Sequence, residues 1–298
     1  MDKTYRKTIA ELVALYTFEP QLRDIYVEGI NDKLLLEWFF KQFDIESINV
    51  IEINSISVDD SLITRLGLKH GNRGRVVALS LEFERLLQNN VSYLVCLADS
   101  DFDFILGRKY KSPYLLYTDY TSIDLYFISK NILEKLLSLG LGKPPSDANK
   151  LLMCLAQVLQ EVFLIRAINE SLNWNISFTP FTKCCEIKER YVIIFDYKKF
   201  IEKSLQKNAR FSDAKTFENT YVQLKKKKTK TFRHAIRAVD YFELLGWYIS
   251  KQIGTRGNKY KDPEVIRAMI YTAADAKSLT KEKLFKALLK RYNRCESV

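Results

Sequence analysis

The stretch Leu94-Val-Cys-Leu-Ala-Asp99-Ser-Asp101-Phe-Asp103 decides how this chain is read, because five apolar residues run without alternation into three carboxylates spaced two apart. A continuous apolar run suits a strand of a parallel sheet covered on both faces, and in such sheets ligands bind beyond the carboxyl ends of the strands. Its counterpart upstream is Asp24-Ile-Tyr-Val-Glu28-Gly29-Ile-Asn31-Asp32-Lys33, a second short apolar run ending in a carboxylate and a glycine. Two strand tips of one sheet then share a cluster of acids. Such a cluster repels itself unless a cation neutralises it. An all-oxygen donor set with few carboxylates suits Mg²⁺, with Mn²⁺ as its substitute.

Working outward, Tyr5, Ile9, Leu12, Val13 and Tyr16 stand at helical spacing and predict an amphipathic helix over 4–18. Ile25–Glu28 is the first expected strand, followed by a helix from Asp32 to about Phe43 with Asn31 as its cap. Asn49–Ile53 reads as a second strand. A loop from Gly67 to Gly74, containing glycine and basic residues, leads into a helix over Arg75 to Gln88. The acidic strand is third and Leu115–Tyr117 the fourth. Strands separated by helices predict an α/β fold with a four-stranded, mostly parallel sheet and right-handed crossovers. Gly140-Leu-Gly-Lys-Pro144-Pro145 is the clearest break. It divides a metal-binding domain over 1–143 from a mainly helical, basic region over 144–298. Expected in that region are helices over Asp147–Ser171, from Tyr197, through Phe232–Ile249, over Pro263–Ala274 and over Lys281–Tyr292, with one strand at Tyr191–Asp196.

Charge is divided along the same line. Residues 1–130 carry 15 Lys and Arg against 19 Asp and Glu, whereas residues 131–298 carry 32 against 17. Acid in front and base behind suit a metal-binding domain joined to a region that meets a polyanion. The phosphate-contact candidates are Lys225, Lys226, Lys227, Lys228, Lys230, Arg233 and Arg237. A lysine run is equally the mark of a solvated loop. Lys33, Lys109 and Lys111 lie close enough in sequence to the acids to stabilise charge at a phosphate. Five cysteines without a CxxC pair and only two histidines give neither a disulfide framework nor a zinc site. The apolar segment Leu151 to Ile168 is interrupted by Gln157, Gln160, Glu161 and Arg166, and no secretory signal opens the chain. A cytoplasmic protein without a membrane span is the expectation.

The triplet Asp99, Asp101, Asp103 has several conceivable owners. An EF-hand loop beginning at Asp99 requires glycine at 104 and glutamate at 110, where Phe104 and Tyr110 stand. A dehalogenase-type phosphatase needs threonine where Asp103 is. A glycosyltransferase DxD stays open but leaves Glu28-Gly29 unexplained, and solvated turn acids stay open as the plain alternative, disfavoured by so apolar a strand.

Taken together, apolar-Glu28-Gly29-x-x-Asp32 on a first strand and apolar-Asp99-x-Asp101-x-Asp103 on a third, in that order with βα units between, resemble the Toprim domain of topoisomerases, bacterial primases and OLD-type nucleases. The stretch Thr118-Asp119-Tyr-Thr-Ser122-Ile-Asp124 is similar to one in the OLD-like nucleases, with Asp124 where glutamate is common. The arrangement as a whole, with no P-loop, resembles the Toprim effectors of the PARIS anti-phage systems. The resemblance covers about residues 25–128. It implies a Mg²⁺-dependent endonuclease, a toxic effector that cleaves tRNA and is held inactive by an ABC-type ATPase partner. Its implied catalytic residues are Glu28, Asp99, Asp101 and Lys33, and its metal ligands Glu28, Asp99 and Asp101, with Asp32, Asp103 or Asp124 acting through water. A homodimer is expected as the commonest oligomer. A DNA-nicking nuclease and a non-catalytic nucleic-acid-binding or regulatory module are the alternatives.

Overall fold

The computed structural model describes residues 5–88, 90–108, 110–142, 147–227 and 229–292, with the side chains of 253–257 left aside. By contacts the chain forms two compact units. Residues 1–100, 109–119 and 275–298 make the first, and residues 101–108 and 120–274 the second. This differs from a single cut at 143/144, because the last helices belong with the sheet and the chain first leaves the first unit at residue 101, returning for 109–119 before leaving again at 120.

The first unit opens with a two-residue strand, β1 (Lys7–Thr8), and the helix α1 (Ile9–Phe18). Thr8 caps α1, and Glu11 returns to the Thr8 backbone N–H at 2.7 Å. This capping box satisfies two amides that the first turn cannot. Next come β2 (Asp24–Val27), α2 (Ile30–Lys41), β3 (Asn49–Glu52) and β4 (Ile56–Ser57), the last paired in parallel with β1. After α3 (Asp60–Arg65) and α4 (Asn72–Leu87), β5 (Val95–Ala98) follows. A single helical turn, α5 (Asp103–Leu106), precedes β6 (Leu115–Tyr117) and belongs to the second unit.

The sheet has the order β3-β2-β5-β6, with every neighbour parallel. β2 and β5 are its centre and are buried at every position, as unalternating apolar strands require. On one face Tyr26, Cys96 and Ala98 join Tyr16 of α1 and Val76, Leu79 and Phe83 of α4. Phe83 meets Tyr16 edge-on at 5.6 Å and Tyr26 at 5.8 Å. Ile25, Val27, Val95 and Leu97 point the other way by strand alternation and are also buried. The base of β2 carries a buried polar knot, in which Tyr16 donates to the Asp24 carboxylate at 2.6 Å and Asn49 to its other oxygen at 2.9 Å.

The chain returns to this unit at α12 (Ala276–Leu279) and α13 (Lys283–Tyr292). Asp119, just past β6, accepts the Leu284 backbone N–H at 3.0 Å and so fastens the start of α13. Along α13, Phe285 packs on Phe39 of α2 at 4.7 Å and Tyr292 on Phe40 at 5.6 Å.

In the second unit, α6 (Lys130–Lys135) precedes the long α7 (Ala148–Ser171), capped by Asp147. By length and composition α7 could cross a membrane, but it buries Leu151, Leu155, Leu159, Val162, Phe163 and Ile168 within the unit and is a core helix. Beyond it lie an antiparallel hairpin of β7 (Cys185–Glu189) and β8 (Val192–Phe195), then α8 (Tyr197–Lys207), α9 (Ala214–Lys225), α10 (Ala238–Ile253) and α11 (Pro263–Thr272). The helix expected from Phe232 starts only at Ala238. Thr121 draws the main chain here, its N–H and hydroxyl donating to the carbonyls of Arg233 and Ile236. The described cysteines are all free thiols.

Candidate metal centre

Because β2 and β5 are adjacent and parallel, their carboxyl ends emerge side by side, Ile25 opposite Val95 and Tyr26 opposite Cys96. Glu28 follows β2 directly and Asp99 follows β5. The backbone N–H of Asp99 donates to Glu28 Oε1 at 2.8 Å, across 71 residues of sequence. Both residues are half-buried.

The sharp exit after Glu28 differs from expectation in its cap. Gly29, not Asn31, is the N-cap of α2, and Asp32 accepts the Gly29 N–H at 3.1 Å. An acid at the third helical position is well placed to cap and to face the positive end of the helix dipole. Asp32 therefore has a structural duty. One helical turn on, Lys33 pairs with Glu37 at 3.9 Å.

The loop at Gly67–Gly74 supplies two residues that the motifs did not mark. Asn72 donates to the Glu28 carbonyl at 2.7 Å, and Arg73 Nε to the Asp99 carbonyl at 2.7 Å. The Arg73 guanidinium also lies over the Tyr117 ring, 5.8 Å from its centre. The signal for them is a basic and an amide side chain bracketed by Gly71 and Gly74. Gly71 has φ +137°, open to glycine, and a Cβ on Gly74 would fall 2.0 Å from the Lys69 carbonyl oxygen. On the other side of β5, the Ser100 hydroxyl donates to the Thr118 carbonyl at 2.6 Å, and the Ser100 N–H to the Thr118 hydroxyl at 3.0 Å. Thr118 and Asp119 of the fourth-strand motif thus hold strand ends and α13 in place.

Comparison with protein-family models and with curated proteins finds no match to the chain.

The remaining acids belong to the second unit. Asp101 has φ +42°, the left-handed region that aspartate tolerates better than most residues, and its N–H donates to the Thr121 carbonyl at 2.8 Å. Asp103 is buried at the start of α5. Asp124 accepts hydrogen bonds from Arg267 at 3.2 Å and from the Tyr271 hydroxyl at 2.7 Å. Burial and the Asp124 carboxylate push the Tyr271 phenol up. A carboxylate so neutralised has its charge already answered, which weakens the expectation that Asp124 meets a metal through water.

Of the basic candidates, Lys225 is engaged inside the unit. Its ammonium donates to Glu161 at 2.9 Å and to the Tyr221 hydroxyl at 2.8 Å, and both hold it above the ordinary lysine value. Lys227 donates to the Ile105 carbonyl at 2.6 Å. Arg233 lies over the Tyr120 ring at 4.0 Å, and Arg237 is half-buried. Lys226 and Lys230 are exposed and pair with no carboxylate among the described residues. Lys111 is exposed on the first unit. Lys109 and Lys228 lie outside the described residues.

Among the described residues no three of His, Cys, Asp and Glu are gathered as a ready metal cage. What the two strand ends bring together is one pair of acid residues, Glu28 and Asp99, with the Glu28 carboxylate against the Asp99 main-chain N–H. That set fits Mg²⁺, which keeps several of its waters and is held by one or two carboxylates, and it suits neither zinc nor a soft metal.

Proposed function

We propose that the chain is a Mg²⁺-dependent phosphodiester hydrolase of the Toprim kind acting on nucleic acid. The observation that supports this reading is the Asp99 N–H to Glu28 Oε1 hydrogen bond at 2.8 Å, which joins two acids at adjacent parallel strand ends. Glu28 and Asp99 would hold the ion; the acids of the second unit are not needed for this reading. A divalent cation bound there supplies Lewis acidity, which lowers the pKa of water and neutralises charge on the scissile phosphate. Glu28 orients Asp99 through its main chain. Asn72 and Arg73 hold the two strand ends. The exposed Lys226 and Lys230 are the phosphate contacts, and they give affinity without sequence preference.

Within this reading the substrate is RNA, with tRNA first, and the protein is a toxic effector of anti-phage defence that an ABC-type ATPase holds inactive and that forms a homodimer. Purified protein incubated with total RNA and with supercoiled plasmid, with and without Mg²⁺ or Mn²⁺, tests the core of it. Metal-dependent RNA fragments are expected. Nicked plasmid alone would move the assignment to DNA, and binding without any cleavage would replace the enzyme by a binding module. Co-purification with the neighbouring gene product, with light scattering of the free protein, tests the ATPase partner and the dimer.

A further inference from the structure

The two side chains at the start of α4 do something unusual for a helix N-terminus: they reach outward to the carbonyls of the two acids. Asn72 takes the Glu28 carbonyl and Arg73 the Asp99 carbonyl, each at 2.7 Å. Consecutive residues on one rigid turn thereby grip both strand ends. The turn is itself fixed, since Gly74 leaves no room for a Cβ against Lys69 and α4 packs into the core through Val76, Leu79 and Phe83. The third link is the Glu28–Asp99 hydrogen bond, which closes a ring of contacts around the pair. Strand hydrogen bonds alone would not do this. The last registered partners on these two strands are Tyr26 and Cys96, while β2 ends at Val27 and β5 at Ala98, so Glu28 and Asp99 stand just past the paired positions.

We propose that Asn72 and Arg73 form a clamp that sets the separation of Glu28 and Asp99 and so sets divalent-cation affinity at this site; the inference rests on the metal reading above. Arg73 is a positioning residue. Its Nε–H fixes the Asp99 main chain, and its guanidinium rests against Tyr117, a residue of the next strand, so the clamp also references the site to β6. Lysine cannot reproduce this, because it lacks the planar fork that donates along one edge while stacking. Outer partners that orient metal ligands are worth 10–100-fold in affinity when removed.

Mn²⁺ titration followed by electron paramagnetic resonance, on the full chain without nucleic acid, separates the possibilities. Wild type, Glu28→Gln, Asn72→Ala, Arg73→Ala and Arg73→Lys are compared, each with its melting temperature. Glu28→Gln is expected to abolish the tight site. Arg73→Ala and Asn72→Ala are expected to weaken Mn²⁺ by about 10–100-fold with the fold retained, and Arg73→Lys to recover only part of the loss. If wild type and Glu28→Gln bind Mn²⁺ alike, the metal reading falls and the clamp with it. If Glu28→Gln loses the site while both alanine variants keep wild-type affinity, the metal reading stands and the clamp is wrong. Should an alanine variant not fold, Arg73→Lys carries the test, and wild-type affinity in that variant overturns the role assigned to the guanidinium.

Discussion

Glu28 is the residue on which most depends. Glu28→Gln preserves volume and leaves an amide oxygen to accept the Asp99 N–H, so the strand-end geometry survives while the charge that would hold a cation is gone. Cleavage should fall by about two to four orders of magnitude, the range for losing a general acid–base group. The melting temperature should hold, because the amide oxygen keeps the hydrogen bond from the Asp99 N–H. An active, destabilised variant would falsify the catalytic assignment. A second residue-scale prediction concerns Glu243 of α10. Burial first, and the Asp240 carboxylate second, raise its pKa above the ordinary value. The folded state therefore holds that proton more tightly than the unfolded chain does. Stability owed to this group is present below the unfolded pKa, about 4.3, and is lost as pH rises through the folded value. Glu243→Gln still accepts from Thr182, which reaches Glu243 at 3.3 Å, and avoids that loss. Its melting temperature should exceed wild type at pH 7, with the gap closing near pH 4. Thermal scans at the two pH values decide it, and a gap that widens in acid contradicts the assignment.

At the scale of elements, α4 matters most, since its first turn grips both strand ends. Gly74→Ala places a methyl group 2.0 Å from the Lys69 carbonyl oxygen, and backbone must move to admit it. A loss of about 1–3 kcal/mol is expected, the usual cost of overpacking, read as a lower urea midpoint. An unchanged midpoint would show that the Lys69 turn yields freely, and a turn that yields could not hold the clamp. Elements were unequally legible from sequence. β2, β5 and β6 follow from uninterrupted apolar runs, and α7 from its apolar length with an Asp147 cap. The hairpin partner β7 was missed because Cys185–Glu189 mixes Glu and Lys into a strand exposed along much of its length. The helix near Phe232 was drawn too long because helical spacing does not reveal that Thr121 takes the carbonyls of Arg233 and Ile236.

For the whole molecule, the uneven charge predicts how the proposed binding of nucleic acid should respond to salt. Log affinity for RNA should fall linearly with log salt, and each phosphate contact removed should flatten the slope by about 0.7 for single strands. Lys226→Glu with Lys230→Glu is expected to weaken RNA binding uniformly across sequences and to flatten that slope. Lys225→Ala should instead lower stability, because its ammonium is tied to Glu161 and Tyr221. Filter binding at several salt concentrations, with a melting curve for each variant, checks both. RNA affinity that ignores salt would remove the polyanion reading.

The order of apolar runs along the chain determined the α/β class, the parallel sheet and the neighbourhood of Glu28 and Asp99. A strand buried on both faces cannot hide its composition, and its carboxyl end can only open outward. Tertiary structure alone decided the duties of the polar residues around that pair. Asp32 caps α2, Asp119 fastens α13, Asp124 answers Arg267, and Asn72 and Arg73 hold the strand ends. Apart from the local Asp32 cap, these hydrogen bonds join residues far apart in sequence, 165 apart for Asp119 and Leu284. Their geometry exists only once hydrophobic burial has folded the chain and brought the partners within three ångströms or so.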